Sequence, residues 1–221
     1  MRTHAVFLRL EGRRCVVIGG DATAERKTVA CLDAGAQVTV IAAVPTPGLD
    51  ALGASGRVRY EARGYRDGDL RGAMLAYAVT DDPAVIAALE AEAAREHVLL
   101  NVVDVPAACT FFAPAVVARG DLQVAVGTGG CSPTLAARLR RDLEGRLDAA
   151  YTPYVTILGA VRTALPRARR AEVMERLVDS DLLALVRRAD RAAIDALIAT
   201  TTGEPWTLQR LGVDLGATTV R

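Results

Sequence analysis

Arg14-Cys-Val-Val-Ile-Gly19-Gly20-Asp21-Ala22-Thr23-Ala24 decides the fold of this chain. Residues 14–19 form an apolar, β-branched run ending in glycine, the pattern of a strand buried on both faces of a parallel sheet. Residues 22–34 follow as a helix, with Ala24, Val29, Ala30 and Leu32 on or near its inner face and Gly35 as its stop. The alternation then continues. Residues 37–42 read as a second strand, 45–48 as a loop, 57–62 as a third strand and 75–79 as a fourth. An alanine-rich helix over 82–96 and a fifth strand over 98–103 complete the series. Strands and helices at this spacing require right-handed crossovers and give a mostly parallel sheet.

Strand, glycine turn and helix together are the setting of a dinucleotide-binding loop. Its first glycine makes the tight turn, its second lets the backbone approach a pyrophosphate, and a third small residue lets helix and strand pack. Gly19 and Ala24 meet the first and third requirements, but Asp21 stands where the second glycine is normal. A carboxylate there competes with phosphate for the N–H groups of the helix start and repels its charge. Two readings stay open: Asp21 caps the helix and no dinucleotide binds, or one binds more weakly than it would with glycine. The second strand ends in Ala42-Ala43-Val44, without the acidic residue that usually meets a ribose.

Asn101-Val-Val-Asp104-Val-Pro106 is the other conspicuous stretch. Asn101 is the only asparagine of the chain, and Phe111 and Phe112, just beyond, are two of its three phenylalanines. Asp104 falls just past the fifth strand, where the carboxyl end of a parallel sheet presents side chains to a ligand cleft. A turn cap before Pro106 is the plain alternative for it. After Pro106 the pattern changes: residues 112–118 and 122–126 read as two strands joined by a turn at Arg119-Gly120-Asp121. Ser132 and Pro133 then open a helix to residue 147 as N-cap and first helical residue. From Tyr151 onward the chain reads as helical, with breaks near Pro166, Ser180 and Ala189, and the tail after Gly203 has little periodicity.

Bulk composition excludes several classes. With 221 residues, 51% of them apolar, and a net charge of +1, the chain is neither disordered nor a generic polyanion binder. No apolar run approaches the roughly 20 residues that cross a bilayer, and the charged start lacks a cleavage signature. The expectation is a cytoplasmic protein with no nucleic-acid or membrane partner. Four cysteines without paired spacing and two histidines argue against a structural zinc site; Cys15 and Cys31 read as small buried hydrophobes. Lys27 is the only lysine among mostly arginine bases, by drift or for a reason of function.

Taken in order, these pieces resemble the precorrin-2 dehydrogenase/sirohydrochlorin ferrochelatase family, also found as the N-terminal module of siroheme synthase. The resemblance is carried by Val16-Val-Ile-Gly-Gly20, Ala24-Glu-Arg-Lys27, Ala34-Gly-Ala36, Val38-Thr-Val40 and Ala78-Val-Thr-Asp-Asp82. It continues through Asn101-Val-Val-Asp104, Pro106, Phe111, Pro114-Ala115, Gly129-Gly130, Ser132-Pro133 and Leu135-Ala136. It implies an α/β fold with a Rossmann-type, mostly parallel sheet, then a small α/β dimerisation region and a C-terminal helical domain. The expected boundaries are 1–113 for the NAD-binding domain, 114–150 for the dimerisation region and 151–221 for the helical domain.

The resemblance also implies NAD-dependent oxidation of precorrin-2 to sirohydrochlorin and, in many members, insertion of ferrous iron at the same site by a homodimer. The methyltransferase of the fused enzyme is expected elsewhere, so that precorrin-2 comes from a separate protein. Asp104 is then the catalytic base and, transiently, a contact for the metal. Gly19, Gly20, Asp21, Ala22, Thr23, Ala43, Val44 and Thr80 are the cofactor-binding candidates. Asn101, Thr128, Gly129, Gly130, Ser132 and Arg119 are those for the carboxylate-rich tetrapyrrole, with Arg138 and Arg141 as further candidates. Asn101 either fixes the strand end or orients Asp104; Phe111 and Phe112 either stack on the macrocycle or pack in the core; Cys131 is a spacer or a soft metal contact. Two other functions stay open: a chelatase whose oxidation is weakened by Asp21, and a non-catalytic nucleotide- or tetrapyrrole-sensing module.

Overall fold

The computed structural model describes residues 3–215, and the chain divides into two compact units, Met1–Ala113 and Pro114–Arg221. The first holds a five-stranded, all-parallel sheet: β1 (Arg14–Ile18), β2 (Gln37–Ile41), β3 (Arg59–Glu61), β4 (Leu75–Ala78) and β5 (Leu99–Val102), in the order β3-β2-β1-β4-β5. Cys15 pairs with Val38 on one side and Leu75 on the other, so β1 is the central strand. That explains its unbroken apolar run. Cys15 and Val17 bury against α1 (Ala22–Asp33) and α2 (Pro47–Ala54), while Val16 and Ile18 face α3 (Pro83–Glu96). With both faces covered, no position from Cys15 to Ile18 is free to be polar.

Helix α1 ends as its sequence requires. Gly35 takes φ +77°, its N–H reaches the Leu32 carbonyl at 2.9 Å, and the Ala36 N–H reaches that of Cys31 at 3.0 Å. This is a Schellman closure, for which a left-handed glycine is the favoured residue. Its inner face differs from expectation. Ala24, Thr28 and Cys31 point inward, whereas Val29 and Ala30 are exposed. The Thr28 hydroxyl is buried without a hydrogen-bond partner among the described residues.

Helix α2 lies partly where a loop is expected over 45–48. Thr46 caps it by accepting from the Leu49 N–H at 3.2 Å, and Pro47 occupies the first helical position. Gly48 inside the helix has a steric reason, since a Cβ there would meet the Glu25 carboxylate at 2.1 Å. Helix α3 carries a buried acid, Glu92, which accepts from the Leu70 N–H at 2.8 Å and from the Tyr65 hydroxyl. Burial, then the bond to Glu92, pushes the Tyr65 phenol well above its ordinary pKa.

In the second unit, β6 (Ala115–Arg119) and β7 (Leu122–Val126) form an antiparallel hairpin. Gly120, the first loop residue, takes φ +59°, and positive φ does not extend to Asp121, as a type II′ turn requires. Strand β6 begins at Ala115, not at the expected 112, because Pro114 has no N–H to enter a ladder. Helices α4 (Pro133–Arg146), α5 (Tyr151–Ala164), α6 (Arg170–Val178), α7 (Leu182–Arg187) and α8 (Arg191–Thr202) complete the unit. Its core gathers Ile157, Val161, Leu177, Leu182, Ile194 and Ile198, and Trp206 packs against it.

Candidate functional site

Three strand ends converge on the two glycines after β1. Gly19 takes φ +121°, and a Cβ on it would lie 2.8 Å from the Val79 carbonyl at the end of β4. A Cβ on Gly20 would lie only 1.9 Å from the Val44 carbonyl, beyond the end of β2. The Thr46 N–H donates to the Gly20 carbonyl at 2.9 Å, closing the β1 and β2 loops onto each other. Gly19, Gly20, Val44 and the Val79–Thr80 peptide are thus brought together. The Thr80 hydroxyl accepts from the Asp82 N–H at 3.2 Å, and Asp82 caps α3 through the Ala84 N–H at 2.9 Å.

Asp21 is the N-cap of α1. One carboxylate oxygen accepts from the N–H groups of Thr23 and Ala24 at 2.9 and 2.8 Å. Two first-turn donors that a pyrophosphate would otherwise use are therefore engaged by the protein itself. The glycine pair at the carboxyl end of the central strand fits a dinucleotide, and the capping carboxylate opposes it without occupying the glycine backbone. No acid stands at the end of β2 itself, but Glu25 reaches that loop. It arrives from α1, and its carboxylate accepts from the Thr46 hydroxyl beside the β2 loop. Only the Thr46-Pro47 cap signal could have hinted at that meeting.

Asp104 lies in a turn after β5. The Val105 N–H donates to the Val102 carbonyl at 3.2 Å, and Asp104, third residue of that turn, takes φ +61°. This position favours glycine or asparagine, so an aspartate there is held against its own backbone preference. Its side chain is exposed. Asn101 does not reach it. That side chain is 8% exposed and donates its amide to the Phe111 carbonyl at 3.0 Å and the Cys109 sulfur at 3.5 Å. The amide nitrogen of Asn101, a residue expected among those that bind substrate, is thus engaged within the protein at the strand end. Phe111 packs edge-on against Tyr77 with ring centroids 5.3 Å apart, and the Lys27 ammonium sits 4.9 Å over the Tyr77 ring. Burial, ahead of the nearby Arg26 charge, lowers the Lys27 pKa.

In the second unit the Thr128 hydroxyl accepts from the Ser132 N–H at 3.1 Å, and the Ser132 hydroxyl from the Leu135 N–H at 3.2 Å. Gly129 and Gly130, at φ +61° and +82°, carry the loop into α4 through consecutive left-handed residues. Arg119 is placed otherwise than a substrate arginine would be. Its guanidinium donates to the carbonyls of Leu147 at 2.7 Å, Ala118 at 2.8 Å and Glu144 at 3.3 Å, closing the end of α4. Arg138 and Arg141 are exposed on α4. Among the described residues, no group of three or more histidine, cysteine or acidic side chains is placed to hold a metal ion, and no helix is long and apolar enough to cross a membrane.

Residues 6–115 match the NAD(P)-binding family model, and residues 119–146 match the central region of sirohaem biosynthesis proteins. A solved structure titled SirC, precorrin-2 dehydrogenase, superposes with a TM-score of 0.72 at 26% identity, over 88% of this chain and 100% of that one. The chain belongs to the precorrin-2 dehydrogenase and siroheme synthase family. Relatives within it include the siroheme synthase of Methylobacillus flagellatus, 39% identical over 75% of this chain and 35% of its own length. That of Methylococcus capsulatus is 38% identical over 85% and 41%, and siroheme synthase 1 of Aeromonas salmonicida is 34% identical over 90% and 44%. The chain thus spans less than half the length of these curated relatives.

Proposed function

We propose that this protein oxidises precorrin-2 to sirohydrochlorin with NAD as acceptor. The observation that carries the reading is the match to a precorrin-2 dehydrogenase over that enzyme's whole length. Gly19, Gly20, Ala22, Thr23, Ala43, Val44 and Thr80 would hold the dinucleotide, which supplies the hydride acceptor. Asp104 takes the proton that leaves with the hydride, as an exposed carboxylate on a fixed turn can. Thr128, Gly129, Gly130 and Ser132 would receive substrate carboxylates, with Arg138 and Arg141 in place of Arg119. Homodimerisation through residues 114–150 fits the exposed Val116, Leu135 and Leu139 on β6 and α4.

The test is purified protein with precorrin-2 and NAD, following NADH by absorbance and sirohydrochlorin by its spectrum. Stoichiometric formation of both is expected. A chain that releases neither at any NAD concentration is not this dehydrogenase. The Asp21 cap favours a second reading, a chelatase with weakened oxidation, in which ferrous ion is the substrate. It predicts metal insertion into sirohydrochlorin without NADH formation from precorrin-2. A sensing module would retain its output in Asp104→Ala.

A further inference from the structure

We propose that Cys109 is a positioning residue for Asp104, its thiol tying together the two carbonyls that flank the turn on which the carboxylate stands. The Cys109 sulfur lies 3.2 Å from the Val102 carbonyl and 3.3 Å from that of Val105, the residues at the two ends of the Asp104 turn. Its single proton is shared between these acceptors, and the sulfur in turn accepts from the Asn101 amide. The Val102 carbonyl therefore receives both the Val105 N–H of the turn and the Cys109 thiol.

Locally the turn has only its Val105 N–H bond to the Val102 carbonyl to hold it. An L-residue in the left-handed region costs energy, and the conformation persists only where its surroundings over-determine it. Here the surroundings form a closed loop. The chain leaves β5 at Val102, passes through Asp104 and a single 3₁₀ turn at Pro106–Ala108, and returns beside β5. Thr110 locks the return: its N–H donates to the Leu100 carbonyl and its hydroxyl accepts from the Leu100 N–H, both at 2.8 Å. Cys109 is the side chain that joins this anchored return to both ends of the Asp104 turn. Burial raises its pKa, which keeps the thiol protonated and able to donate.

The inference rests on the reading of Asp104 as the base, and the experiment separates the two. Steady-state precorrin-2 oxidation and NADH affinity by fluorescence are measured for Cys109→Ala, Cys109→Ser, Cys109→Val and Asp104→Ala, and for the Cys109→Ala/Asp104→Ala pair. Cys109→Ala is expected to lower kcat at least about tenfold, the scale on which a positioned group loosens, with KM and NADH affinity unchanged. Cys109→Val, which fills the space without a donor, should repeat that loss, and Cys109→Ser should recover turnover to within about threefold of the parent. In the Asp104→Ala background Cys109→Ala should cost nothing more, because the group it positions is gone. Wild-type turnover in Cys109→Ala and Cys109→Val, alongside a dead Asp104→Ala, overturns the clamp alone. Parallel losses of kcat and NADH affinity would also overturn it, as would an additive double variant, since both are what general loosening produces. Wild-type turnover in Asp104→Ala overturns the base and the clamp with it.

Discussion

Replacing Asp21 with glycine isolates the conflict between the cap of α1 and the cofactor. The carboxylate stands within 2.9 Å of the Thr23 and Ala24 nitrogens, so a phosphate drawn to the same helix end would sit about 5 Å from it. Two unit charges at that distance in water-like surroundings repel by roughly 0.8 kcal/mol. A pyrophosphate carries two, and salt screening trims the sum to about 1 kcal/mol, a factor of about five in affinity. Loss of the cap itself costs only a few tenths of a kcal/mol when glycine replaces it. NADH fluorescence titration of wild type, Asp21→Gly and Asp21→Asn should therefore show both variants binding about fivefold tighter at physiological salt, the gap widening to roughly fifteenfold at low ionic strength and closing at high salt. The asparagine variant keeps an acceptor for the Thr23 and Ala24 N–H groups and loses only the charge. Tighter binding by Asp21→Gly alone would mean that competition for donors, not repulsion, governs the loop. No gain in either variant would refute the electrostatic argument.

Three further outcomes follow from the geometry. Asp104→Ala and Asp104→Gly should both lose about 10²–10⁴ in kcat while keeping NADH affinity, yet urea denaturation should find the glycine variant about 1 kcal/mol more stable. Equal stabilities would remove the claim of backbone strain at φ +61°. Thr28→Val discards a buried hydroxyl that has no partner among the described residues and should stabilise the protein by about 1 kcal/mol in the same assay; destabilisation would show that the hydroxyl is satisfied in solution. For Asp69, burial works to raise the pKa, but Arg63 at 2.7 and 2.8 Å and the Arg66 N–H at 2.8 Å outweigh it and hold the carboxyl below its ordinary value. That stability is present above the unfolded pKa of about 3.9 and is lost as pH falls through the folded one. Asp69→Asn should thus lower neutral-pH stability by about 1–2 kcal/mol and flatten the acid limb of the stability curve; parallel acid limbs would refute the linkage.

The parallel sheet was legible because strands covered on both faces are almost wholly apolar: Cys15–Ile18 is so throughout, and Val38–Ile41 is interrupted only by the buried Thr39. Where punctuation and structure disagree, reading failed. Gly48, Gly53 and Gly56 hid α2, although Thr46-Pro47 carries the same cap signature that correctly opened α4 at Ser132-Pro133. The apolar Phe112-Ala113 pair suggested an early start to β6, which Pro114 forbids. On α1, Val29 and Ala30 looked like core residues, but the face that packs is set by Ala24, Thr28 and Cys31, one of them polar. At the candidate site, Asp104 and the glycine pair could be found from position along the chain. The Arg119 bonds to the end of α4 span 25 and 28 residues and carry no local signal, and the Cys109 bonds fall across a loop whose path no pattern predicts.

The close approach of Gly20 to Val44 has a practical bearing on recombination between homologues. The Thr46 N–H holds the Gly20 carbonyl, the Thr46 hydroxyl holds Glu25, and a side chain at Gly48 would displace the Glu25 carboxylate from that bond. The glycine loop and the segment after β2 are therefore a single inheritable cassette. Chimeras with a crossover between residues 26 and 41 would separate two halves that interlock, whereas exchanging residues 19–48 as one block carries its fit along with it.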